Sequence, residues 1–303
     1  MKIGVAVPIS EFGETGSTPS YAAIREFALR AEATGFDSIW LYDHLLFRRP
    51  DKPTLGIWEI WTLLSALAEA TERVELGTLV LCVPFRNPAL LAKMADTLDE
   101  VSGGRVILGL GAGWHQPEFD AFGFPFDHKV DRFEEALKIM APLLREGTVD
   151  FTGTYASAPN CELRPRGPRP SGPPLLVAAR GPRMLRLTAQ YADAWNGAWY
   201  GNPTNFEADV ATLHAACAEV GRDPATIELT AGVNVSIPGF DPDPEESPDP
   251  TKVLTGSADE IAAGFAAFAA LGVGHLMCGN ISTTDELDHL AAALDVYRTR
   301  AKA

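Results

Sequence analysis

The sequence has few cysteines, few basic residues and no long apolar run, and each shortage removes a class of function. Its four cysteines, Cys82, Cys161, Cys217 and Cys278, are scattered with no CxxC spacing. That excludes zinc-ribbon and dithiol redox readings and suits a reducing cytoplasm. Lys and Arg number 25 against 40 Asp and Glu, giving a net charge of −15. No basic stripe exists to neutralise phosphates, so no nucleic-acid partner is expected. An anionic cofactor must then find a local site against an unfavourable overall field. No stretch of about 18 apolar residues occurs, so no membrane span is expected. Residues 1–9 carry one lysine and too short an apolar run for a signal peptide, and a cytoplasmic location follows as the expectation. There is no HxH on the first strand, no HExxH, no GxSxG and no P-loop. Metal hydrolase, serine hydrolase and nucleotide kinase chemistry therefore lack support, and no metal site is expected.

What is present is a rhythm of short apolar runs alternating with longer amphipathic segments. Strands are expected at 2–8, 36–42, 74–83, 106–110, 175–179, 194–198, 227–237 and 273–278. Helices are expected at 21–34, 58–71, 88–101, 132–145, 182–191, 206–220, 258–271 and 285–300. Pro88 suits a helix start, because its missing N–H would be unpaired there anyway. Strands that are apolar throughout suit a parallel sheet covered on both faces. Eight such units in 303 residues predict one (β/α)8 barrel domain spanning 1–303, with an open doubly wound sheet as the alternative. Two segments interrupt the rhythm. Residues 149–174 read as a β-hairpin excursion with a Pro/Arg/Gly-rich return, and residues 239–250 as a mobile acidic loop. Either is expected to cover the barrel mouth.

In such a barrel, residues just beyond a strand's C-terminal end face the active-site mouth. Asp43 and His44 stand there after the second strand. Histidine accepts a proton near neutral pH, and an adjacent carboxylate raises its basicity. A loop histidine bonded to backbone is the plain alternative. After the fourth strand comes Gly109-Leu110-Gly111-Ala112-Gly113-Trp114. It fails as a dinucleotide fingerprint because Trp114 takes the last glycine position. Its glycines allow close backbone approach to a planar ligand. After the fifth strand, Ala178-Ala179-Arg180-Gly181-Pro182 offers helix N-terminal N–H groups beside an arginine, a candidate phosphate site. Trp195, Asn196 and Trp199 are either pocket lining or core.

Taken in order, these segments resemble the luciferase-like superfamily, which includes bacterial luciferase-type monooxygenases and coenzyme F420-dependent oxidoreductases. The resemblance runs along the whole chain. Its most specific parts are Leu41 to His44, LGTLVLCVPFRNPA at 76–89 and TLDEVSGGRVILGLGAGW at 97–114, with Ala178 to Leu185 and Ala192 to Trp199 adding to it. The resemblance implies a (β/α)8 TIM barrel with F420, or alternatively FMN, at its C-terminal mouth. Asp43 and His44 would flank the ring, with His44 as the catalytic acid/base. A non-prolyl cis peptide would fall at Leu79–Val80, beneath the ring. Gly111 and Gly113 would pass beside the cofactor, and Ala178, Ala179, Arg180 and Gly181 would hold its phosphate end. Trp40, Trp114 and Trp199 would wall an apolar substrate pocket. Sugar-phosphate dehydrogenases of the superfamily carry a glutamate where Trp114 stands, and Glu118, one helical turn on, is not assigned that role. The implied activity is hydride transfer between F420 and a small alcohol or activated double bond. The alternatives are a two-component FMN monooxygenase and a non-catalytic flavin-binding barrel. A nicotinamide reductase is disfavoured by the failed fingerprint. The expected partners are a small-molecule substrate, a second copy of the chain and a flavin or F420 reductase.

Overall fold

The fold is given by a computed structural model that describes residues 1–11, 18–240 and 252–302. The acidic loop expected at 239–250 lies outside the described residues beyond Phe240. Eight strands alternate with helices: β1 (Lys2–Ala6), β2 (Ser38–Leu41), β3 (Glu75–Thr78), β4 (Val106–Gly111), β5 (Leu175–Ala178), β6 (Ala194–Tyr200), β7 (Glu228–Ser236) and β8 (His275–Gly279). All pair in parallel with their neighbours in chain order. The ring closes where β4 meets β5, with Gly109 opposite Leu176, and where β8 meets β1, with Ile3 opposite Leu276. This is the (β/α)8 barrel that the apolar strand pattern predicts.

The helices are α1 (Tyr21–Ala33), α2 (Ile60–Ala70), α3 (Pro88–Ser102), α4 (Gln116–Phe122), α5 (Lys129–Glu146), α6 (Pro182–Tyr191), α7 (Thr204–Val220), α8 (Ala258–Ala270) and α9 (Thr284–Ala301). Their ends follow local chemistry. Asn87 caps α3 through the Leu90 N–H, and Gly103 closes it at φ 68°. Ser257 with Glu260, and Thr283 with Glu286, form capping boxes on α8 and α9, each side-chain cap contributing about 1 kcal/mol.

Side chains alternate across each strand. On β2, Ile39 and Leu41 pack outward with the helix layer, whereas Trp40 points into the barrel. There Trp40 joins Leu79, Ile107, Leu176, Ala194 and Met277. β1 and β3 carry Gly4 and Gly77 where a Cβ would overlap the indole. Trp40 is therefore a wholly buried barrel plug and not a wall of the substrate pocket. Its position on the inward face, below the strand end, accounts for the correction. Its Nε1–H donates to Ser38 Oγ, which lies 2.7 Å from His275 Nε2. His275 is held neutral there, because burial pushes its pKa down to about 3.

The excursion after α5 is an antiparallel hairpin, Thr148–Thr152 with Ser157–Glu162. The return segment is anchored by Arg169 to Asp99 and to the Val106 carbonyl, and by the Gly167 N–H to Asp96. Val106 begins β4, so this return lies at the N-terminal face. It does not cover the mouth, because a helix in this fold returns the chain to the bottom of the barrel. Two other elements stand at the mouth: a short hairpin after β2, Leu46–Phe47 with Leu55–Gly56, and α4 after β4.

Candidate active site

The third strand breaks where the mouth is built. β3 ends at Thr78, the Leu79–Val80 peptide is cis as the resemblance implies, and Leu81–Cys82 resumes pairing with Leu110 and Gly111. A second non-prolyl cis peptide, Ala198–Trp199, was not anticipated. Leu79 turns into the lumen cluster, leaving Val80 half-buried. The glycines of β4 make room for this bulge. A Cβ on Gly109 would overlap the Thr78 carbonyl oxygen, and one on Gly111 would sit 2.8 Å from Val80 Cγ2. Their close approach is to protein backbone and the Val80 side chain, where the sequence reading expected a ligand at Gly111. Gly113 follows at φ 76° with Cys82 Sγ and Phe119 packed where its side chain would be.

Asp43 is also placed differently from expectation. Its side chain is fully buried and accepts from Arg86 Nη1 at 2.5 Å, Arg86 Nη2 at 3.2 Å and the Cys82 N–H at 2.8 Å. Burial raises its pKa, outweighing the lowering by the Arg86 guanidinium and the Cys82 N–H. Three donors converge on the side chain, which ties β2 to the restart of the third strand. It is spent on Arg86 and does not partner His44.

The carboxylate on His44 is Glu118 of α4. His44 Nδ1–H donates to Glu118 Oε1 at 3.0 Å and lies 3.2 Å from Oε2, while Oε2 accepts the Leu45 N–H at 2.9 Å. The Glu118 side chain is 2% exposed and that of His44 18%. This fixes the tautomer with the proton on Nδ1 and leaves Nε2 with no hydrogen bond among the described residues. The sequence reading left Glu118 without a role because it did not recognise α4. The signals were there: Pro117 in the first turn and Gly123 at φ 75° closing the helix.

Aromatic rings surround His44. Phe47 and Trp114 each lie edge-on at 5.7 Å, and His115 stacks on Phe47 at 4.5 Å. Trp114 is 61% exposed. His115 Nε2 accepts the Arg48 N–H at 3.0 Å. Burial lowers the His115 pKa, and the nearby His44, Arg48 and Arg49 charges lower it further against the pull of Glu118.

Across the barrel, the ends of β5, β6 and β7 line a cavity of about 720 Å³. Ala179, Arg180, Gly181 and Trp199 border it, together with Tyr200, Asp209, Asn234 and Lys252, which the sequence reading did not single out. Those four are far apart in sequence and carry no motif. Ala178 is half-buried at the strand end. Gly181, at φ 81°, precedes α6 with open space around it, and no side chain caps the helix. Arg180 donates to the Ala198 carbonyl. Tyr200 donates to Asp209 at 2.6 Å, and burial, then Asp209, push its pKa up. Trp199, 40% exposed, leans over Gly232 and Gly279.

The barrel mouth thus combines a cis-peptide bulge on the third strand with a carboxylate-held histidine after the second. The sequence profile of the luciferase-like monooxygenase family matches residues 1–246. The chain belongs to that family. Among its luciferase-like relatives, a phthiodiolone/phenolphthiodiolone dimycocerosates ketoreductase of Mycobacterium kansasii is 33% identical over 240 residues, covering 73% of this chain and 65% of that protein. An F420-dependent glucose-6-phosphate dehydrogenase of Amycolatopsis mediterranei is 33% identical over 201 residues, covering 64% of this chain and 56% of that one. The chain thus spans less than two thirds of the length of these curated relatives. A solved F420-dependent secondary alcohol dehydrogenase, in complex with an F420-acetone adduct, superposes with a TM-score of 0.80 at 22% identity. That match covers 98% of each chain and shows a shared luciferase-like fold. Among the described residues no cluster suited to a metal ion occurs, and no helix is long and apolar enough to cross a membrane.

Proposed function

We propose that this luciferase-like chain is an oxidoreductase that transfers hydride between coenzyme F420 and a small carbonyl–alcohol pair or activated double bond. The observation that carries this reading is His44, with Nδ1 held by the buried Glu118 and Nε2 unengaged at the mouth. The relatives named as a ketoreductase and an F420-dependent dehydrogenase support the same reading.

The residues present fit a phosphate-bearing tricyclic cofactor. The roughly 720 Å³ cavity is of ligand size. The uncapped N–H groups at the start of α6, with Arg180, suit the phosphate. Val80 on the bulge offers a half-buried apolar platform for the ring. These contacts supply locally the positive potential that the net charge of −15 denies globally. A deazaflavin, when bound, supplies a hydride acceptor or donor that reacts poorly with oxygen. His44 then manages the matching proton, taking it from an alcohol oxygen at Nε2 during oxidation or delivering it to a carbonyl oxygen during reduction. Glu118 stabilises the imidazolium and fixes its orientation. Trp114 and Phe47 exclude water on the substrate side and favour an apolar body over a hydrated sugar.

The test is equilibrium binding of the apo-protein to F420 and to FMN in parallel, followed by fluorescence, with His44→Ala beside the wild type. Tighter binding of F420, with the variant binding it but losing turnover by about 10²–10⁴-fold, supports the reading. Preference for FMN, with oxygen consumption upon reduction, would replace it with a monooxygenase, as the family's description allows. Unchanged turnover in His44→Ala would remove the histidine from the mechanism. A homodimer, and the reductase that would recycle the cofactor, belong to this proposal; sedimentation and a coupled assay test them.

A further inference from the structure

We infer that the hairpin beside His44 forms an anion subsite selecting substrates that carry a carboxylate on a flat or apolar body. The inference rests on the proposed hydride-transfer reading for the identity of the reacting group. Arg48 and Arg49 follow Phe47 directly in the segment between β2 and α2. The Arg48 N–H is fixed to His115 Nε2, and the Arg49 guanidinium lies over the Phe47 ring, 5.0 Å from its centroid. Phe47 in turn lies 5.7 Å from His44. The two cations are thus attached to the aromatic wall that surrounds the proton carrier.

Neither arginine has a carboxylate partner among the described residues; Arg48 Nε reaches only Thr54 Oγ1, at 3.3 Å. Arg30, Arg86, Arg169, Arg183 and Arg298 each hold a carboxylate. Two adjacent guanidinium groups without acids, at the rim of an otherwise acidic protein, make a local positive field. Both arginines act on His115, against the larger opposite effect of Glu118. The cofactor's phosphate does not account for them. Arg180 and the start of α6 stand at the ends of β5 and β6, and β6 is four strands from β2, on the opposite side of an eight-stranded ring.

The chemistry of the wall defines the ligand. Trp114 and Phe47 offer ring edges and faces to a planar body, and His44 Nε2 would take the reacting oxygen. A guanidinium pairs with a carboxylate through two parallel N–H bonds, more selectively than an ammonium would. An aryl or alkyl aldehyde or ketone with a carboxylate at its far end would offer one group to each of the three.

The experiment titrates 4-carboxybenzaldehyde and its methyl ester into the full chain, with and without F420, by calorimetry. The acid is expected to bind about tenfold more tightly than the ester, and its advantage to shrink as ionic strength rises. Arg48→Ala/Arg49→Ala should bring the acid down to the affinity of the ester, and Arg48→Lys/Arg49→Lys should restore part of the difference. Equal binding of acid and ester by the wild type overturns the inference, as does an acid preference that survives the double alanine variant. Weakened F420 binding by that variant also overturns it, since the cations would then serve the cofactor. Failure of F420 to bind the wild type refutes the proposed cofactor, while the titration without F420 still tests the anion subsite.

Discussion

Replacing Arg86 with methionine tests how the mouth is held together. The Asp43 side chain is fully buried and Arg86 is its only oppositely charged partner among the described residues, through contacts at 2.5 and 3.2 Å. Methionine keeps most of the apolar stem and removes the guanidinium. An ionised carboxylate left behind without its counter-charge costs about 3–5 kcal/mol. In a chain of this size that lowers the melting temperature by on the order of 10 °C. The loss of Arg86 from Glu59, which is well exposed, adds little. The variant also has a pH signature. Burial raises the folded-state pKa of Asp43 above its unfolded value of about 3.9 even with Arg86 in place, and removing Arg86 raises it further. A group raised in this way loses stability as pH climbs through its folded pKa. The deficit should therefore be full at pH 7 and shrink progressively toward pH 4. Urea unfolding of both proteins across that range measures it. Asp43→Asn in the Arg86→Met background should recover most of the loss, since no buried charge remains. A deficit below about 1 kcal/mol at pH 7, or one that is the same at pH 4.5, would refute the ion-pair reasoning.

Other outcomes follow from neighbouring features. Glu118→Gln can accept the Leu45 N–H only by turning its NH2 toward His44, which reverses the tautomer; kcat should fall about 10²–10⁴-fold with KM little changed. An unchanged kcat would show that Glu118 does not orient the base. His275 is neutral when folded, with its pKa lowered to about 3. Its contribution to stability is complete above the unfolded value of about 6.5 and is lost as pH falls from there toward 3, at up to about 1.4 kcal/mol per unit. His275→Asn should flatten that slope in acid unfolding curves. Gly109→Ala would drive a methyl group into the Thr78 carbonyl, which the barrel cannot move aside; a loss of about 3 kcal/mol in urea unfolding is expected, with weaker cofactor binding. A stable variant with normal binding would show that the bulge tolerates displacement.

The strand and helix succession was legible because burial imposes it locally. A strand such as β2, buried at all four positions, must read as an apolar run. Caps such as Asn87, Ser257 and Thr283 act within a few residues. The third-strand break and the position of His44 were legible through the family resemblance, carried by contiguous residues. The sequence therefore determined the barrel and the strand end at which His44 stands. Tertiary structure alone decided which carboxylate serves the histidine. Asp43 is adjacent in sequence, but Arg86 and the Cys82 N–H converge on it, and Glu118 arrives on a helix 74 residues away. It also decided that Trp40 fills the lumen while Trp114 stays open, because two tryptophans of equal hydrophobicity are separated only by the strand face and height at which each is held. Hydrogen-bond partners and lumen packing are properties of convergence in space, and spacing along the chain carries no record of them.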